Sequence, residues 1–483
     1  MKALVCAVVL LALAPGCASR TRLPLPLPPS VLVATPEEAF LHPPDSQPPT
    51  GIPEAPTVET RTLGNGMQLV FVRRASLPLM AVRFACRASG SQDRGVRPGV
   101  DALLGRVLGQ LGHLRAPTLS GTQEPEVDVL SGGVEISSSG PSSAFRTTID
   151  AIASMAREPG YTIEVLAPLR HVLLETIAGA SRGSSYMFGV HEREMIFGPS
   201  DPRAGTWWGT APEFGRIHPE DLAARHAQLF TPSQSALVVV GDLEIESVER
   251  VVREAFEGWA SAPVPMTHLG PAAFPVPHAR LHAIPAGGDE SILSLREHAP
   301  PRSDPDRPAF DVVTALLGGM FSARINHVLR EEQGHTYGIH ARVSDYRSYS
   351  ALEIDLAVPG RHMHSSALMM ISELGRVSRA ADIDPHELET ARASALAEYR
   401  NRFLTNGATA TTLSGLFLRD QTLESLLARA RAVETVTAED VAGAAQRWLR
   451  VEAAPILVMG PYRNLAGNLH DIPGGGELVV WRW

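Results

Sequence analysis

The histidines of this chain are not spaced as a metal site requires. His113 has Gly109 four residues before it, whereas two histidines that share a metal on one helix stand four apart. His335 and His340 are five apart around Tyr337, where a loop is predicted to enter a strand. The pattern predicts a surface or capping role for His113 and no shared metal for His335 and His340.

The carboxylates suggest no ligand set either. Glu124, Glu126 and Asp128 fall in a segment that reads as a polar loop, where we expect them to face water. Glu175 lies on a predicted helix, and we expect a solvated position for it.

Residues 99–112 read GVDALLGRVLGQLG and follow the strand-like run LMAVRFACRASG. Their apolar residues recur at helical spacing, which predicts a helix packed on a core. Positions 102 and 106 are one turn apart on one face of that helix. They hold Ala102 and Arg106, with Gly105 between them, so this helix brings packing and no metal ligand.

Composition bounds the function classes. A chain of 483 residues predicts two to four domains at about 150 residues each. A net charge of −9 without a block of lysine and arginine argues against nucleic-acid binding.

The N-terminus predicts export. MKALVCAVVLLALAPGCASR has one early positive charge, an apolar run and a small-residue turn, as secretory signals do. Leu13–Cys17 resembles a bacterial lipobox, which implies lipid on Cys17, and Ala18 favours the periplasmic side of the outer membrane. The alternative is an ordinary signal peptide with a chance cysteine. Cys86 lies in an apolar strand pattern, and we expect it to be a buried small residue.

The chain divides into five predicted segments. They are a signal peptide (1–17), a proline-rich tether (18–56), an N-terminal domain (57–262), a linker (263–277) and a C-terminal domain (278–483). The tether cannot bury a core. In the first domain, Asn65–Gly66 predicts a hairpin turn, VEISSS and FRTTID read as strands, and LAPLRHVLLETIAG reads as a helix. In the second, PAFDVVTALLGGMFSARINHVLREEQG predicts one helix.

The two domains repeat each other. Ala102–Gly105 (ALLG) recurs as Ala315–Gly318, 213 positions later. HPEDLAARHAQLFTPSQSALVVVGD is echoed by VTAEDVAGAAQRWLRVEAAPILVMGP. We therefore predict an internal duplication of an α+β unit, each copy a mainly antiparallel sheet packed with helices.

The chain resembles the pitrilysin/insulinase family of inverted zincins over nearly all of residues 58–462. TLGNG, VVGD and above all GGMFSARINHVLREEQGHTYG carry the likeness. The resemblance implies a clamshell of two homologous domains. It also implies a His-x-x-Glu-His zinc site on the first helix, where paired histidines bind zinc and the glutamate activates water.

Aligned on that motif, the ligand positions hold other residues. The two histidines fall on Ala102 and Arg106, the glutamate on Gly105 and the third ligand near Thr176. Alanine and glycine have no donor atom, and arginine brings a fixed positive charge. We therefore expect no zinc and no other cofactor in this chain, with zinc only in a partner subunit.

The resemblance assigns chemistry to Arg330 and Tyr337. In zinc-bearing relatives or their partner subunits, the matching tyrosine stabilises the oxyanion and the arginine holds substrate carbonyls or fixes the tyrosine. The alternative is structural: Arg330 pairs with Glu331 or Glu332, and Tyr337 packs half in the core.

Three functions remain open at this point. The first is a non-catalytic lipoprotein subunit that pairs with a zinc-bearing homologue in peptide processing or degradation. The second is a stand-alone peptide-binding or scaffold lipoprotein. The third, an active metallopeptidase with unrecognised ligands, is disfavoured because zinc needs three protein ligands in fixed geometry.

Overall fold

The computed structural model describes most of the chain beyond the N-terminal segment. The described residues are 54–87, 97–115, 122–130, 132–157, 160–180, 184–198, 201–204, 209–260, 281–346, 349–461, 472 and 478–481. They all belong to one compact unit that spans Thr50–Trp483. The predicted signal peptide with Cys17, all but three residues of the tether and the whole linker lie outside the described residues.

The first half contains a six-stranded mixed sheet. Its strands are β1 (Glu59–Thr62), β2 (Gln68–Arg73), β3 (Leu79–Arg87), β4 (Glu126–Leu130), β5 (Gly133–Pro141) and β6 (Ser235–Gly241). Their spatial order is β1-β2-β6-β3-β5-β4, so β4 is an edge strand. Only β2 and β6 pair in parallel. The predicted hairpin turn lies between β1 and β2, where Gly66 has φ +87°, a conformation that glycine adopts at low cost.

The second half repeats this sheet. Its strands are β7 (Leu281–Pro285), β8 (Glu290–His298), β9 (Ile339–Asp345), β10 (Ser350–Pro359), β11 (Ile456–Gly460) and β12 (Leu478–Val480). They lie in the order β12-β7-β11-β8-β10-β9, with β9 at the edge. Strands β7 to β11 take the positions that β2 to β6 take in the first sheet, including the single parallel pair inside that set. The predicted duplicated α+β fold is confirmed.

Seven α-helices are described in the first half. They are α1 (Val100–Arg115), α2 (Phe145–Arg157), α3 (Ile163–Ala180), α4 (Ser184–Phe197), α5 (Ala211–Gly215), α6 (Pro219–Leu229) and α7 (Ile245–Phe256). Leu103, Leu104 and Leu108 of α1 are fully buried in the core of this half. The prediction that residues 99–112 form a packed helix is thus correct.

The helices of the second half begin with α8 (Arg307–Thr314), which continues into a π-helical segment (Ala315–Gly319). A helical turn (Arg324–Asn326) and a second π-helical segment (His327–Glu332) follow. The remaining helices are α9 (Met363–Val377), α10 (Pro385–Asn401), α11 (Asn406–Leu418), α12 (Leu423–Glu434) and α13 (Ala438–Trp448). By length and composition the run from Arg307 to Glu332 could cross a membrane, but 67% of its most apolar window is buried inside the fold.

Each half lends one helix to the sheet of the other half. Helix α11 packs on β3 and β6 of the first sheet, and α4 packs on β7 and β11 of the second. The face of the first sheet under α11 includes an apolar patch of Val72, Ala81, Val238 and Val240, which joins the core of the second half, beside the ion pair of Arg83 and Glu135. Burial of that patch is a large favourable term for folding, so each half depends on the other.

Two predicted elements are wrong. FRTTID is not a strand but the start of α2, where Phe145, Ile149 and Ile152 face the core at helical spacing. The long helix predicted from Pro308 is broken between Met320 and Ala323. Gly318 and Gly319, poor helix formers, come directly before the break, and Gly318 packs so closely on β9 that a Cβ there would lie 3.1 Å from the Cβ of Ala341.

Candidate functional site

Helix α1 is fixed at its N-terminus by a buried ion pair. The Nε and Nη2 atoms of Arg225, on α6, donate to the two carboxylate oxygens of Asp101 at 2.7 and 3.0 Å. Both side chains are almost fully buried. A bidentate arginine–carboxylate pair has a defined geometry, so it sets the position of the first turn of α1.

A cavity of about 920 Å³ opens beside this first turn. Ala102, Gly105 and Arg106 line it from α1, and Leu169 lines it from α3. Arg106 is exposed, and no described carboxylate forms an ion pair with it. A guanidinium charge needs either water or an acidic partner. The charge of Arg106 faces the solvent of the cavity.

Thr176 is not among the residues that line this cavity. It is exposed on α3, where its hydroxyl donates to the carbonyl oxygen of Val172 at 2.8 Å. Glu175 is also exposed and lies 3.4 Å from His171, one turn before it. The cavity therefore brings together three of the four predicted zinc-site positions, the two histidine positions and that of the water-activating glutamate, and Thr176 stays apart from them.

Glu124, Glu126 and Asp128 line the opposite side of the cavity and are exposed, as expected. The predicted loop is wrong in part, because Glu126 and Asp128 lie on the edge strand β4. Within the described ranges, no three histidine, cysteine or carboxylate side chains are grouped so as to hold a metal ion. The donor set of the cavity does not fit zinc.

The other histidines and Cys86 have structural surroundings. His335 is buried, stacks on His362 with ring centroids 4.0 Å apart and has Nδ1 3.1 Å from the hydroxyl of Ser366, whereas His340 is exposed on β9. The side chain of His113 lies outside the described residues. Cys86 is fully buried, and burial raises the pKa of its thiol to about 11, so it is the buried small residue that the sequence predicts.

Arg330 lies in the second π-helical segment and stacks on an aromatic ring. Its guanidinium carbon is 3.8 Å from the ring centroid of Phe321, a geometry typical of a cation–π contact. Glu331 and Glu332 instead contact His327, at 3.0 and 3.2 Å. The alternative in which Arg330 pairs with one of these glutamates does not occur.

Tyr337 lies in the turn between that segment and β9, and its side chain is 102% exposed. The turn around it is held in place. The side-chain oxygen of Asn326 accepts from the Ile339 amide at 2.8 Å, and the Asn326 amide group donates to the Met320 carbonyl at 3.1 Å. The phenol thus projects from a fixed backbone, and Tyr337 is not half-packed in the core.

Two contributors to this region were not predicted from the sequence. Phe321 is 68% exposed. Its position before Ser322 in GGMFSAR is the only sequence signal that could have suggested an aromatic ring for Arg330 to stack on. Asn326 carries no such signal, because its role depends on the return of β9 alongside it.

Comparisons with known proteins give a family match over part of the chain. Residues 216–395 match the family model described as peptidase M16 inactive domain. An uncharacterized zinc protease of Mycobacterium leprae is 24% identical over 244 residues, which cover 48% of this chain and 52% of that protein. The chain thus spans about half the length of this curated relative.

Solved structures share the fold. A peptidase M16 inactive domain from Pseudomonas fluorescens is similar with a TM-score of 0.74 and 20% identity, over 84% of this chain and 98% of that one. A chain of complex III2 from Candida albicans gives a TM-score of 0.70 at 13% identity, over 85% and 98%. These findings confirm the predicted resemblance to the pitrilysin/insulinase (M16) peptidases. Together with the missing ligands, they support a non-catalytic peptidase homologue.

Proposed function

From a peptidase homologue whose own cavity does not fit zinc, we propose a non-catalytic subunit that pairs with a zinc-bearing homologue and supplies Arg330 and Tyr337 to the partner's site. The observation that carries the proposal is the contrast between the two halves. The first half presents Ala102, Gly105 and Arg106 to its cavity. The second half presents a fully exposed Tyr337 and an Arg330 that stacks on Phe321.

The proposed chemistry of Tyr337 is hydrogen-bond donation. Its phenol donates to the oxyanion that develops when water attacks a peptide carbonyl in the partner's site, and docking of the partner removes competing water. Preorganised donors at such a charge are worth about 10²–10³ in kcat. In the free subunit the hydroxyl is hydrated, so its exposure there carries no desolvation cost.

The proposed role of Arg330 is to hold a substrate carbonyl or to orient the Tyr337 phenol. The stacking contact with Phe321 limits the positions that the Arg330 guanidinium can take. Less conformational entropy of this side chain is therefore lost when substrate binds. Phe321 is then a positioning residue. Phe321→Ala is expected to weaken substrate binding in the assembled complex more than it slows the chemical step, so KM rises with a smaller change in kcat.

Two observations support pairing. The chain presents Arg330 and Tyr337 but has a cavity that does not fit zinc, and its fold occurs in a subunit of a larger complex. A chain of the multi-subunit complex III2 has the same fold. The test is co-expression with a zinc-bearing homologue, followed by light scattering and a peptide-cleavage assay. We expect a one-to-one complex that cleaves peptides and no cleavage by this chain alone. Monomers only, under conditions where both chains are folded, would refute the pairing.

We further propose that the mature chain is a lipoprotein on the periplasmic side of the outer membrane. Support comes from the lipobox-like Leu13–Cys17 and the proline-rich residues up to 56. Mass spectrometry of the N-terminal peptide should find acyl chains on Cys17. Cys17→Ala should move the protein from the membrane fraction to the soluble fraction, and an unmodified, membrane-free wild-type chain would exclude the anchor.

A stand-alone peptide-binding protein is the second candidate, and the edge strand β4 favours it. This strand borders the cavity of about 920 Å³ and has no neighbour on its outer side among the described strands. An extended peptide could add to such an edge through backbone hydrogen bonds. Tyr337→Phe separates the candidates, because partner-dependent cleavage falls only under the first, and peptide binding persists under the second.

A further inference from the structure

The second half contains a cavity of its own, of about 320 Å³, at the place that corresponds to the first-half cavity. Ala315 and Gly319 line it, and they stand 213 positions after Ala102 and Arg106. Strand β9 borders it as β4 borders the first cavity. Tyr399 on α10, Arg402 just after the end of α10 and Arg429 on α12 complete the walls.

Two of the arginines that line this cavity are neutralised by its buried carboxylates. Arg307 contacts Asp311 at 2.7 Å and Asp345 at 2.6 Å, and Arg302 contacts Asp345 at 2.7 Å. These contacts hold the pKa of Asp345 well below its usual value. Asp311 and Asp345 are therefore committed to Arg302 and Arg307.

Two further arginines in the wall have no carboxylate partner among the described residues. Both lie near the ring of Tyr399, with Arg402 at 5.8 Å and Arg429 at 5.7 Å from its centroid. Arg429 donates from Nε to the Tyr399 hydroxyl at 2.8 Å, and that hydroxyl donates to Asp311 at 2.9 Å. The Nε of Arg402 is buried and has no hydrogen-bond partner.

The surroundings add positive charge. The buried Nε of Arg419 also lacks a hydrogen-bond partner. Burial and the nearby charges of Arg419 and Arg429 lower the pKa of the Arg302 guanidinium to about 10. The other acidic groups nearby are Glu398 in the wall, Glu353, which pairs with Arg342, and Glu135, which pairs with Arg83 and acts on Arg419.

Counting these groups gives a surplus of two positive charges. In the cavity wall itself the arginines are 302, 307, 342, 402 and 429, against the carboxylates 311, 345 and 398. Buried guanidinium groups without a counter-ion are costly. A dianion with several acceptor oxygens would neutralise the surplus and give Arg402 and Arg429 an anionic hydrogen-bond partner, which neither has among the described residues.

We propose that this cavity binds a phosphate dianion, either free inorganic phosphate or the phosphate group of a small phosphomonoester. Arg402 and Arg429 are its principal ligands, and the hydroxyl of Ser394 is a neutral donor in the same wall. A volume of about 320 Å³ leaves room for a small ester substituent beside the phosphate. This site is separate from the proposed role of Arg330 and Tyr337.

Calorimetric titration of the single chain with inorganic phosphate tests the site. Acetate at the same ionic strength is the monoanion control, and glycerol phosphate is the ester arm. We expect saturable phosphate binding that acetate does not reproduce. Loss of one charged ligand in Arg402→Gln or Arg429→Gln should weaken binding at least about tenfold. Arg431→Gln, on the same helix as Arg429 but exposed and outside the cavity wall, should leave it unchanged.

The results distinguish a phosphate ester from free phosphate as the ligand, and they show whether the proposal fails. Tighter binding of glycerol phosphate than of inorganic phosphate assigns the ester, and the reverse assigns the free ion. Equal responses to phosphate and acetate overturn the proposal, as does unchanged affinity in a folded Arg402→Gln protein. If both variants unfold, a thermal midpoint of the wild-type chain that rises with phosphate but not with acetate supports the site, and an unchanged midpoint overturns it. None of these results depends on pairing with another subunit.

Discussion

At the residue scale, the side chains in the first-half cavity argue against zinc more strongly than a mere loss of ligands would. Arg106 places a permanent positive charge beside Ala102 and Gly105, where a dication would meet repulsion as well as too few donors. The cavity beside these residues has a volume of about 920 Å³, so these three positions of α1 border ample space and offer no metal donor to it.

Restoring the helix ligands tests whether this is an emptied zinc site. Ala102→His, Gly105→Glu, Arg106→His and Thr176→Glu should together give zinc binding that the wild-type chain lacks. Two histidines four apart share a helix face, and a Cβ at position 105 meets only ordinary contacts, the nearest at 3.4 Å. Because Thr176 lies outside the cavity, only the two histidines would reach the metal, so we expect this binding to be weak and to change little when Thr176→Glu is left out. Calorimetry that detects no zinc in a folded quadruple variant would contradict the alignment.

His226 makes stability depend on pH. It is buried, with Nε2 3.0 Å from the Ala156 carbonyl oxygen and Nδ1 2.8 Å from the Tyr161 hydroxyl, and burial lowers its pKa from 6.5 to about 4. Between these values the unfolded chain binds a proton that the folded chain does not, so the free energy of unfolding falls as pH falls from 6.5 to 4. The loss is about 3 kcal/mol.

Urea denaturation of the wild-type chain and of His226→Gln between pH 4 and pH 7 measures this contribution. Glutamine can donate to Ala156 and accept from Tyr161 but does not titrate, so the variant should lose this part of the pH dependence. Identical slopes in the two proteins would show that His226 is not responsible.

At the element scale, how well the sequence predicts an element depends on how local its signal is. The turn at Asn65–Gly66 and the helix at residues 99–112 carry their signals within a short window, and both were predicted. FRTTID was misread because six residues rich in β-branched side chains do not reveal the period that Phe145, Ile149 and Ile152 complete. The tight packing of Gly318 on β9 involves a distant segment, and so it was not predictable.

Removing one partner of the ion pair between Asp101 and Arg225 should strongly destabilise the protein, whereas removing both should not. Arg225→Leu leaves the carboxylate of Asp101 buried without its partner, and we expect a loss of about 3–5 kcal/mol in the free energy of unfolding. Asp101→Leu combined with Arg225→Leu removes both charges and should recover most of that loss. Chemical denaturation of the two single variants and the double variant gives the coupling energy. Additive losses would mean that the two side chains act independently.

At the scale of the whole molecule, the exchange of helices makes the two halves one cooperative structure. The repeat in the sequence predicted two similar domains, and the matching strand orders agree with it. The sequence did not predict that α4 and α11 each pack on the other half, because a local pattern does not specify which sheet a helix covers. The site residues follow the same rule, since Arg330 was predictable from a motif and its stacking on Phe321 was not.

Separate expression of residues 57–262 and 278–483 tests this dependence. Without α11, the first half exposes the apolar patch that contains Val72, Ala81 and Val238, so we expect it to aggregate or remain unfolded. Co-expression of both fragments should yield a soluble complex with native-like circular dichroism. A first half that is soluble, folded and monomeric by itself would show that the exchanged helix is dispensable.

Tyr337 is proposed to act in the site of a zinc-bearing partner. The most direct measurement is kcat for peptide cleavage by the reconstituted complex, with Tyr337→Phe compared with Tyr346→Phe, which changes the tyrosine beyond the other end of β9. Loss of an oxyanion donor should lower kcat about 10²-fold in Tyr337→Phe, with complex formation and zinc content unchanged and with near wild-type activity in Tyr346→Phe. An intact Tyr337→Phe complex that cleaves peptides at the wild-type rate would contradict the account.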